Sequence, residues 1–313
     1  DGNGVHFLSH KDQQVTRRFY HDVNDKEGIR SNSIYSLLID DRGAVWVGHF
    51  QAGLDYSLYQ NGLFRTYDYP PLFNSANLSI RSFVNKGQEK VIGSRDGLFY
   101  INEATGVVKS FVKPVLTSDL ILTICFYQGE YYIGTYGGGM MVLNPETLSL
   151  KYFAQGDTEL FQKGHIFCVK PDAKGNLWIG TSQGLFSYNG QTKQIKSFTS
   201  ANSQLPEGNV YEVSFDSTGK GWIATETGMC IYDPASQSLR SNVFPEGFVN
   251  KDKVRTIYED AEHNLYFIRE KGSLFTSTLT MDRFQNRSIF STLPDNSLMS
   301  VIEDNQGWLW VAC

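Results

Sequence analysis

The sequence lacks the patterns that mark several classes of protein. Its four cysteines show neither C-x-x-C spacing nor a histidine at ligand distance, so a zinc site and a disulfide framework are not expected. Buried free thiols are predicted at Cys125 and Cys168, which lie inside apolar strands. No stretch approaches the apolar length of a membrane helix, about 18 residues. The formal net charge is −5 and no run of Lys or Arg stands out, which argues against nucleic acid and anionic membranes as partners.

Catalytic residues are also missing in the spacings that their chemistry requires. The six histidines form no H-E-x-x-H pair, and no nucleophile–base pair or kinase motif is identified. The run from Gly134 to Gly139 resembles a phosphate loop, but a strand follows it where a phosphate loop needs a helix N-terminus. It is predicted to be a flexible inter-strand loop that displays Tyr136. No catalytic residue, metal ligand or cofactor is predicted.

Proline is scarce, whereas glycine and aromatic residues are abundant. The chain has 9 Pro against 29 Gly, 21 Phe, 17 Tyr and 5 Trp, a balance that favours strands joined by tight turns. The sequence opens at Asp1 without a Met or a signal peptide, which suggests a trimmed chain or a mature exported one.

One unit recurs seven times along the chain. Its first positions are residues 34, 80, 121, 166, 210, 254 and 298, a period of about 44 residues. Residues 34–48 read IYSLLIDDRGAVWVG, and residues 166–180 read IFCVKPDAKGNLWIG. Each unit is predicted to hold four short antiparallel strands, with a Gly or Asn tip in the first hairpin, Asn264 in the sixth copy. A buried aromatic residue, as at Trp46, Trp178, Trp222 and Trp310, is predicted to pack between neighbouring units.

The chain ends complete one another in this scheme. Residues 4–8 and 15–20 match the third and fourth strands of a unit, and residues 298–313 supply the first two. The prediction is an all-β, seven-bladed β-propeller in a single domain, residues 1–313, with four antiparallel strands per blade. The N-terminal half-blade covers residues 1–25, six blades start near 34, 80, 121, 166, 210 and 254, and the half-blade 298–313 closes the ring, which removes free sheet edges.

The repeated string D-x-x-G-x-[LV]-W-[IV]-G-[TH], followed by G-[GL]-[LM], resembles the two-component regulator propeller repeat. The similarity is closest at residues 172–185 and 40–48. It implies the periplasmic sensor region of hybrid two-component systems of Bacteroides-type bacteria, in which propellers precede a membrane helix and a histidine kinase. Members of the family usually sense oligosaccharides released from polysaccharides.

The D-x-x-G-x-x-W strings also resemble the Asp box of sialidases. An Asp that opens a Gly turn caps the backbone N–H groups of that turn, so a structural role is predicted for it here. No arginine cluster or paired acid of a sialidase is identified by spacing.

The loops before the first strands and those between the second and third strands are predicted to share one rim around the central channel. Ligand binding is predicted there at His49, Phe50, Arg81, Arg95, Tyr136, His165, Tyr211, Arg255 and Arg269, with Glu270 and Lys271 in the same linking loops. Aromatic faces and fork-shaped guanidinium donors suit sugars, and acidic sugars in particular. The same rim could instead contact a second propeller of the same protein or another copy of the chain.

The prediction for function is a periplasmic sensor module that binds an oligosaccharide and is attached to the membrane only through its parent protein. The alternatives are a sialidase- or lyase-like propeller enzyme and a protein-interaction scaffold. A homodimer remains open.

Overall fold

The computed structural model of the chain describes residues 2–9, 15–57, 63–67, 78–153, 158–241, 253–269, 274–278, 285–286 and 298–313. These residues form seven four-stranded antiparallel sheets, which are the blades of a β-propeller. The fold predicted from the repeat is therefore confirmed. No helix of the described residues is long and apolar enough to cross a membrane.

The strands follow the repeat along the chain. The chain begins with β1 (Val5–Ser9) and β2 (Val15–Phe19), and blade 1 follows with β3 (Ile34–Ile39), β4 (Val45–His49), β5 (Leu54–Ser57) and β6 (Phe64–Thr66). Blade 2 holds β7 (Ile80–Lys86), β8 (Glu89–Ser94), β9 (Leu98–Asn102) and β10 (Val107–Phe111), and blade 3 holds β11 (Ile121–Tyr127), β12 (Glu130–Thr135), β13 (Met140–Leu143) and β14 (Leu150–Tyr152). After the helix α1 (Thr158–Lys163), blade 4 holds β15 (Ile166–Pro171), β16 (Asn176–Thr181), β17 (Gly184–Asn189) and β18 (Ile195–Phe198).

The last blades continue the same order. Blade 5 holds β19 (Val210–Phe215), β20 (Gly221–Thr225), β21 (Gly228–Asp233) and β22 (Ser238–Arg240), and blade 6 holds β23 (Val254–Glu259), β24 (Asn264–Arg269), β25 (Leu274–Thr278) and β26 (Gln285–Asn286). The chain finishes with β27 (Ser300–Glu303) and β28 (Trp308–Ala312). Six of the seven predicted repeat positions are the first residue of a strand.

Both chain ends form the closing blade, whose strand order is β2-β1-β28-β27. Val5 pairs with Ala312 and Phe7 with Trp310, so the first strand of the chain lies beside the last. Backbone hydrogen bonds from Asn3 to the Cys313 carbonyl and from Cys313 to the Gly4 carbonyl extend this pairing. The predicted closure by the two termini is confirmed.

The repeated tryptophans pack between blades, as predicted. Trp46, Trp178, Trp222 and Trp310 are each no more than 2% exposed. Trp178 packs with Val210 and Val213 of blade 5, and Trp46 packs with Ile80 and Phe83 of blade 2. The apolar face of one blade is thus covered by the inner strands of the next blade, which gives seven inter-blade cores in place of one central core.

The turn aspartates have the structural role predicted for them. In blade 4, Asp172 Oδ1 accepts hydrogen bonds from the backbone N–H groups of Lys174 and Asn176, while Oδ2 accepts one from the Trp178 indole at 2.9 Å. Asp40, Asp216 and Asp304 repeat this arrangement with Trp46, Trp222 and Trp310. In the string D-x-x-G-x-x-W, the Asp therefore caps the turn and also holds the buried Trp by a hydrogen bond.

Two details differ from the expectations. The left-handed residue of the sixth hairpin is His263, with φ of 66°, in the place that Gly43 or Gly175 takes elsewhere, and Asn264 already begins β24. The six-residue helix α1 interrupts the all-β pattern between blades 3 and 4. Leu160 and Phe161 on this helix are buried against Phe153 and Phe186, which explains why an apolar pair lies in a connecting loop.

Candidate functional site

One rim of the propeller is built by the same contact in five blades. The loop between the second and third strands donates a backbone hydrogen bond to the residue just ahead of the first strand. These bonds run from Phe50 to Ser33, Arg95 to Ser79, Tyr136 to Leu120, Ser182 to His165 and Glu226 to Asn209, at 2.9 to 3.1 Å. We call this the upper rim, and the opposite side with the first hairpins the hairpin rim. The predicted sharing of one face by the two sets of loops is what the structure shows; Glu270 and Lys271 lie outside the described residues.

A β-bulge directs one side chain of each first strand toward the mouth of the central channel. In blades 1 to 6 the register between the first two strands shifts at the second residue of the strand, which stays outside the pairing. The residues at this position are Tyr35, Arg81, Leu122, Phe167, Tyr211 and Arg255. Bulges re-aim side chains in this way. We call these six residues and Met299 of the closing blade the mouth ring. Tyr35, Arg81, Leu122, Phe167 and Met299 line the channel, Tyr211 packs on Phe167, and Arg255 contacts Met299.

The mouth ring leads into the central channel, a cavity of about 320 Å³. Its walls are the inner strands of the blades, including Tyr35, Arg81 and Phe167 at the upper end. This volume is at the lower end of the range of roughly 300–1,000 Å³ that small-molecule sites occupy.

Aromatic side chains make a continuous surface across blades 3 to 5 of the upper rim. The Tyr136 and His165 rings lie 4.0 Å apart between centroids, His165 and Phe167 6.1 Å, and Phe167 and Tyr211 5.0 Å. Lys253 Nζ lies 4.2 Å from the centroid of Tyr211 at the end of this row. We call Tyr136, His165, Phe167 and Tyr211 the aromatic arc. Tyr136 is 50% exposed and the other three rings are partly exposed, so the arc can present flat apolar faces to a ligand.

The loop that carries Tyr136 is closely packed, which differs from the flexible loop that the glycine run predicted. A Cβ on Gly139 would lie 2.0 Å from the Phe161 carbonyl oxygen, and one on Gly138 would lie 2.6 Å from Thr117 Oγ1. Thr135 Oγ1 donates to the Gly139 carbonyl and accepts from Gly138 N–H. The glycines therefore allow close approach to α1 and to the preceding loop, and this packing holds Tyr136 over His165.

A second aromatic group lies at blades 1 and 2. Phe50 contacts Tyr35 edge to face at 5.2 Å, and the guanidinium of Arg81 lies 4.8 Å from the Tyr35 ring centroid. On the far side of the ring, Arg255 Nη1 lies 3.6 Å from the sulfur of Met299. The predicted residues Phe50, Arg81 and Arg255 are therefore at or beside the channel mouth, and Arg95 is exposed outside it.

Two predicted residues lie inside the protein. His49 is completely buried, and its Nε2 is 2.8 Å from Asp55 Oδ2, which also accepts the backbone N–H of Arg30. His49 is equivalent in position to Thr135, Thr181 and Thr225 of other blades, whose side chains form hydrogen bonds with the turn. Arg269 is 7% exposed. Neither side chain forms part of the open surface of the upper rim, and ligand binding by the other predicted residues stays a prediction.

An ion pair in the channel was not predicted from the sequence. Lys170 Nζ lies 3.7 Å from Glu212 Oε1, joining the inner strands of blades 4 and 5. The negative charge of Glu212 raises the pKa of Lys170, whereas burial between the channel walls raises the pKa of Glu212. The signal was present in the repeat, because Glu212 stands where other copies have Ser82 or Thr123.

A serine–histidine–glutamate cluster on the hairpin rim has the wrong geometry for catalysis. Ser217 Oγ and Glu259 Oε1 both contact Nδ1 of His263, at 3.1 and 2.7 Å, and Ser217 Oγ donates to the same carboxylate. In a nucleophile–base–acid arrangement the serine and the acid contact different ring nitrogens. The cluster therefore joins blades 5 and 6. Across the described ranges, no group of three or more His, Cys, Asp or Glu side chains could hold a metal ion.

Two segments of the chain match the sequence model of a known family. Residues 28–51 and 161–183 match the sequence model of the two-component regulator propeller, so the resemblance proposed from the repeated string is confirmed in blades 1 and 4. No curated protein matches the chain.

Solved structures share the fold at low identity. The extracellular domain of the hybrid two-component system BT3049 from B. thetaiotaomicron aligns with a TM-score of 0.64 and 20% identity, over 99% of this chain and 50% of that one. The extracellular domain of BT4673 from the same organism aligns with a TM-score of 0.72 and 16% identity, over 98% of this chain and 38% of that one. YCF48 bound to the D1 peptide aligns with a TM-score of 0.63 and 12% identity. The chain thus spans half or less of the two extracellular domains, and these similarities establish the propeller fold.

Proposed function

We propose, from the two-component regulator propeller repeats that the chain carries, that it is a ligand-sensing propeller of a hybrid two-component system. In this proposal the propeller is extracytoplasmic and lies in the periplasm. Its parent protein supplies the membrane helix and the histidine kinase, and this chain catalyses no reaction. The two similar B. thetaiotaomicron structures, both extracellular domains of such systems, support this placement.

The ligand that the upper rim fits best is an oligosaccharide. The aromatic arc is the observation that carries this proposal, because four neighbouring rings with a half-exposed Tyr136 at one end offer faces on which sugar rings stack. Side-chain and backbone polar groups flank the arc, including the amide of Asn209, which donates to the Tyr211 hydroxyl at 2.9 Å. Apolar faces next to placed polar groups are typical of small-molecule sites.

Calorimetry with a panel of plant and host oligosaccharides tests this proposal. We expect the wild-type chain to bind at least one member, and Tyr136→Ala to weaken that binding about tenfold or more, since the tyrosine ring would be covered by the sugar. Tyr152→Ala is the matched control. Its ring is 49% exposed on the outer strand of blade 3, and its removal is expected to leave the affinity unchanged. If no saccharide binds, or if both variants lose binding equally, the proposal is wrong.

Protein docking is a second candidate for the same rim. Val112 and Val115 are 46% and 59% exposed in the loop ahead of blade 3, whose Ser118 donates to the carbonyl of Tyr136. Exposed apolar side chains beside an aromatic surface are also features of protein interfaces, and a second propeller of the parent protein or a second copy of the chain would cover them. Sedimentation of the same variants separates the two functions. A change in self-association with Tyr136→Ala, without a change in saccharide affinity, would favour docking.

A further inference from the structure

Arg81 differs from Lys170, the second cation that lines the channel, in having no counter-charge among the described residues. Lys170 is paired with Glu212 at 3.7 Å, whereas no carboxylate of the described residues lies within 4.0 Å of the Arg81 guanidinium. Arg81 Nε is shielded from solvent and has no hydrogen-bond acceptor among the residues that the structure describes. A buried donor without an acceptor is destabilising, and more so when it is charged.

The place of Arg81 in the fold directs this donor at the channel. As the bulge residue of blade 2 it lies outside the strand pairing, and it lines the cavity together with Tyr35 and Phe167. Its guanidinium lies against the Tyr35 ring, and its two Nη groups, unlike Nε, are not shielded from solvent and can meet a planar acceptor in the channel. This ring contact restricts the guanidinium, which lowers the side-chain freedom that is lost on binding.

Deeper in the channel the described charges are paired, which leaves the mouth as the level at which an anion would bind. Arg255 is a second guanidinium of the mouth ring, and its Nη1 lies against the sulfur of Met299. Below them, the negative charge of Glu212 is balanced by Lys170. Arg95 and Asp96, which are neighbours on the exposed part of the upper rim, have opposite signs and contribute little net charge.

We infer that the ligand of the upper rim is anionic, and that Arg81 holds a carboxylate or sulfate group of a sugar at the channel mouth while the sugar rings pack on the aromatic arc. This inference rests on the proposed saccharide-binding function and adds the chemical class of the ligand. A guanidinium fork matches both groups, because a carboxylate and a sulfate each present two oxygens at the spacing of the guanidinium N–H donors.

Matched neutral and acidic probes test the inference. Oligogalacturonides and their methyl esters have the same sugar skeleton and differ in the carboxylate, while sulfated chondroitin oligosaccharides and their desulfated forms isolate the sulfate. We expect the wild-type chain to bind the form that carries the tested carboxylate or sulfate about tenfold or more tightly than the matched form without that group, the effect of one charged hydrogen bond. In Arg81→Gln that difference in affinity should disappear, because the acidic form should bind more weakly to the variant. Arg81→Lys, which keeps the charge and loses the fork, should fall between the two.

Arg65→Gln is the control for the loss of one positive charge. Arg65 is exposed on the outer strand of blade 1, and its removal should leave the acid-to-neutral ratio unchanged. Equal binding of neutral and acidic forms, or an equal effect of Arg65→Gln and Arg81→Gln, would overturn the anionic ligand and leave saccharide binding intact. Failure of every saccharide, neutral or acidic, would overturn the proposed function and this inference with it.

Discussion

At the scale of single residues, one aspartate per hairpin fixes both a turn and a core side chain. In blade 1, burial by itself would raise the pKa of Asp40, but hydrogen bonds from Trp46, Ala44 and Arg42 hold it below its ordinary value of 3.8. A carboxylate whose folded pKa is lowered stabilises the fold above its unfolded pKa and loses that contribution as the pH falls. The repeated Asp–Trp pair therefore has a structural role in the blade.

Truncation of one tryptophan measures how much this Asp–Trp pair contributes to stability. We expect Trp178→Ala to lower the free energy of unfolding by about 3–5 kcal/mol, because it opens a cavity between blades 4 and 5. Trp178→Phe keeps an aromatic ring and removes the bond to Asp172, so its loss should be smaller, about 1–2 kcal/mol. Urea denaturation of the two variants beside the wild type gives both values. A negligible loss for Trp178→Ala would show that the inter-blade contact is not where the stability lies.

The repeat predicted some residue roles and not others. The burial of Trp46 and Trp178 could be predicted because it follows from their position in every copy. The burial of His49 could not, because its interior place depends on Asp55, which only the fold brings next to it. The Lys170–Glu212 pair likewise joins strands of two blades, so the departure of Glu212 from the repeat marks the position but does not identify its partner.

At the scale of elements, the glycine-rich link of blade 3 controls where the aromatic arc begins. Its backbone is held on two sides, by α1 and by the loop that contains Thr117 and Ser118. Sequence reasoning identified the link and the exposure of Tyr136, but a glycine run by itself does not distinguish a loose loop from a tightly packed one. The bulges that form the mouth ring were not predicted, because an extra residue in a strand leaves no mark in an apolar pattern.

Replacing one glycine of this link tests its packing. Gly139 has φ of 69° and no room for a Cβ, whereas Gly175 has φ of 78° and nothing within 4 Å of the added atom. Gly175→Ala should therefore cost only the left-handed strain, about 1–2 kcal/mol. Gly139→Ala should cost about 1–3 kcal/mol more, and saccharide binding should weaken because Tyr136 moves off His165. Denaturation and calorimetry measure the two effects, and equal stability of both variants would contradict the packed link.

At the scale of the whole molecule, the ring is closed by hydrogen bonds and packing between the two chain ends. His6, in the middle of the closing blade, is buried, and its Nε2 contacts the Asn3 carbonyl at 2.9 Å. Burial lowers its pKa below the ordinary value of 6.5, the Asn3 bond opposes this, and the charge of Arg18 adds to the lowering. The closed ring therefore favours the neutral imidazole.

This preference predicts how the stability of the ring depends on pH. Above the unfolded pKa of 6.5, His6 is neutral in both states and imposes no penalty. As the pH falls through that value, the unfolded chain takes up the proton first, so the free energy of unfolding decreases. Denaturation at about pH 7.5 and about pH 5.5 should show a smaller decrease for His6→Phe than for the wild type. If His6→Phe loses as much stability between the two pH values as the wild type does, His6 is not the source of the decrease.

The shared closing blade also sets an order of events during synthesis. Strands β1 and β2 are made before the six contiguous blades, whereas β28, the partner of β1, is made after them. At roughly 5–20 residues per second, the N-terminal strands wait on the order of tens of seconds for that partner. During this time the six contiguous blades can form one after another, while β1 and β2 await β28. Synthesis of β28 is thus the step that allows the ring to close.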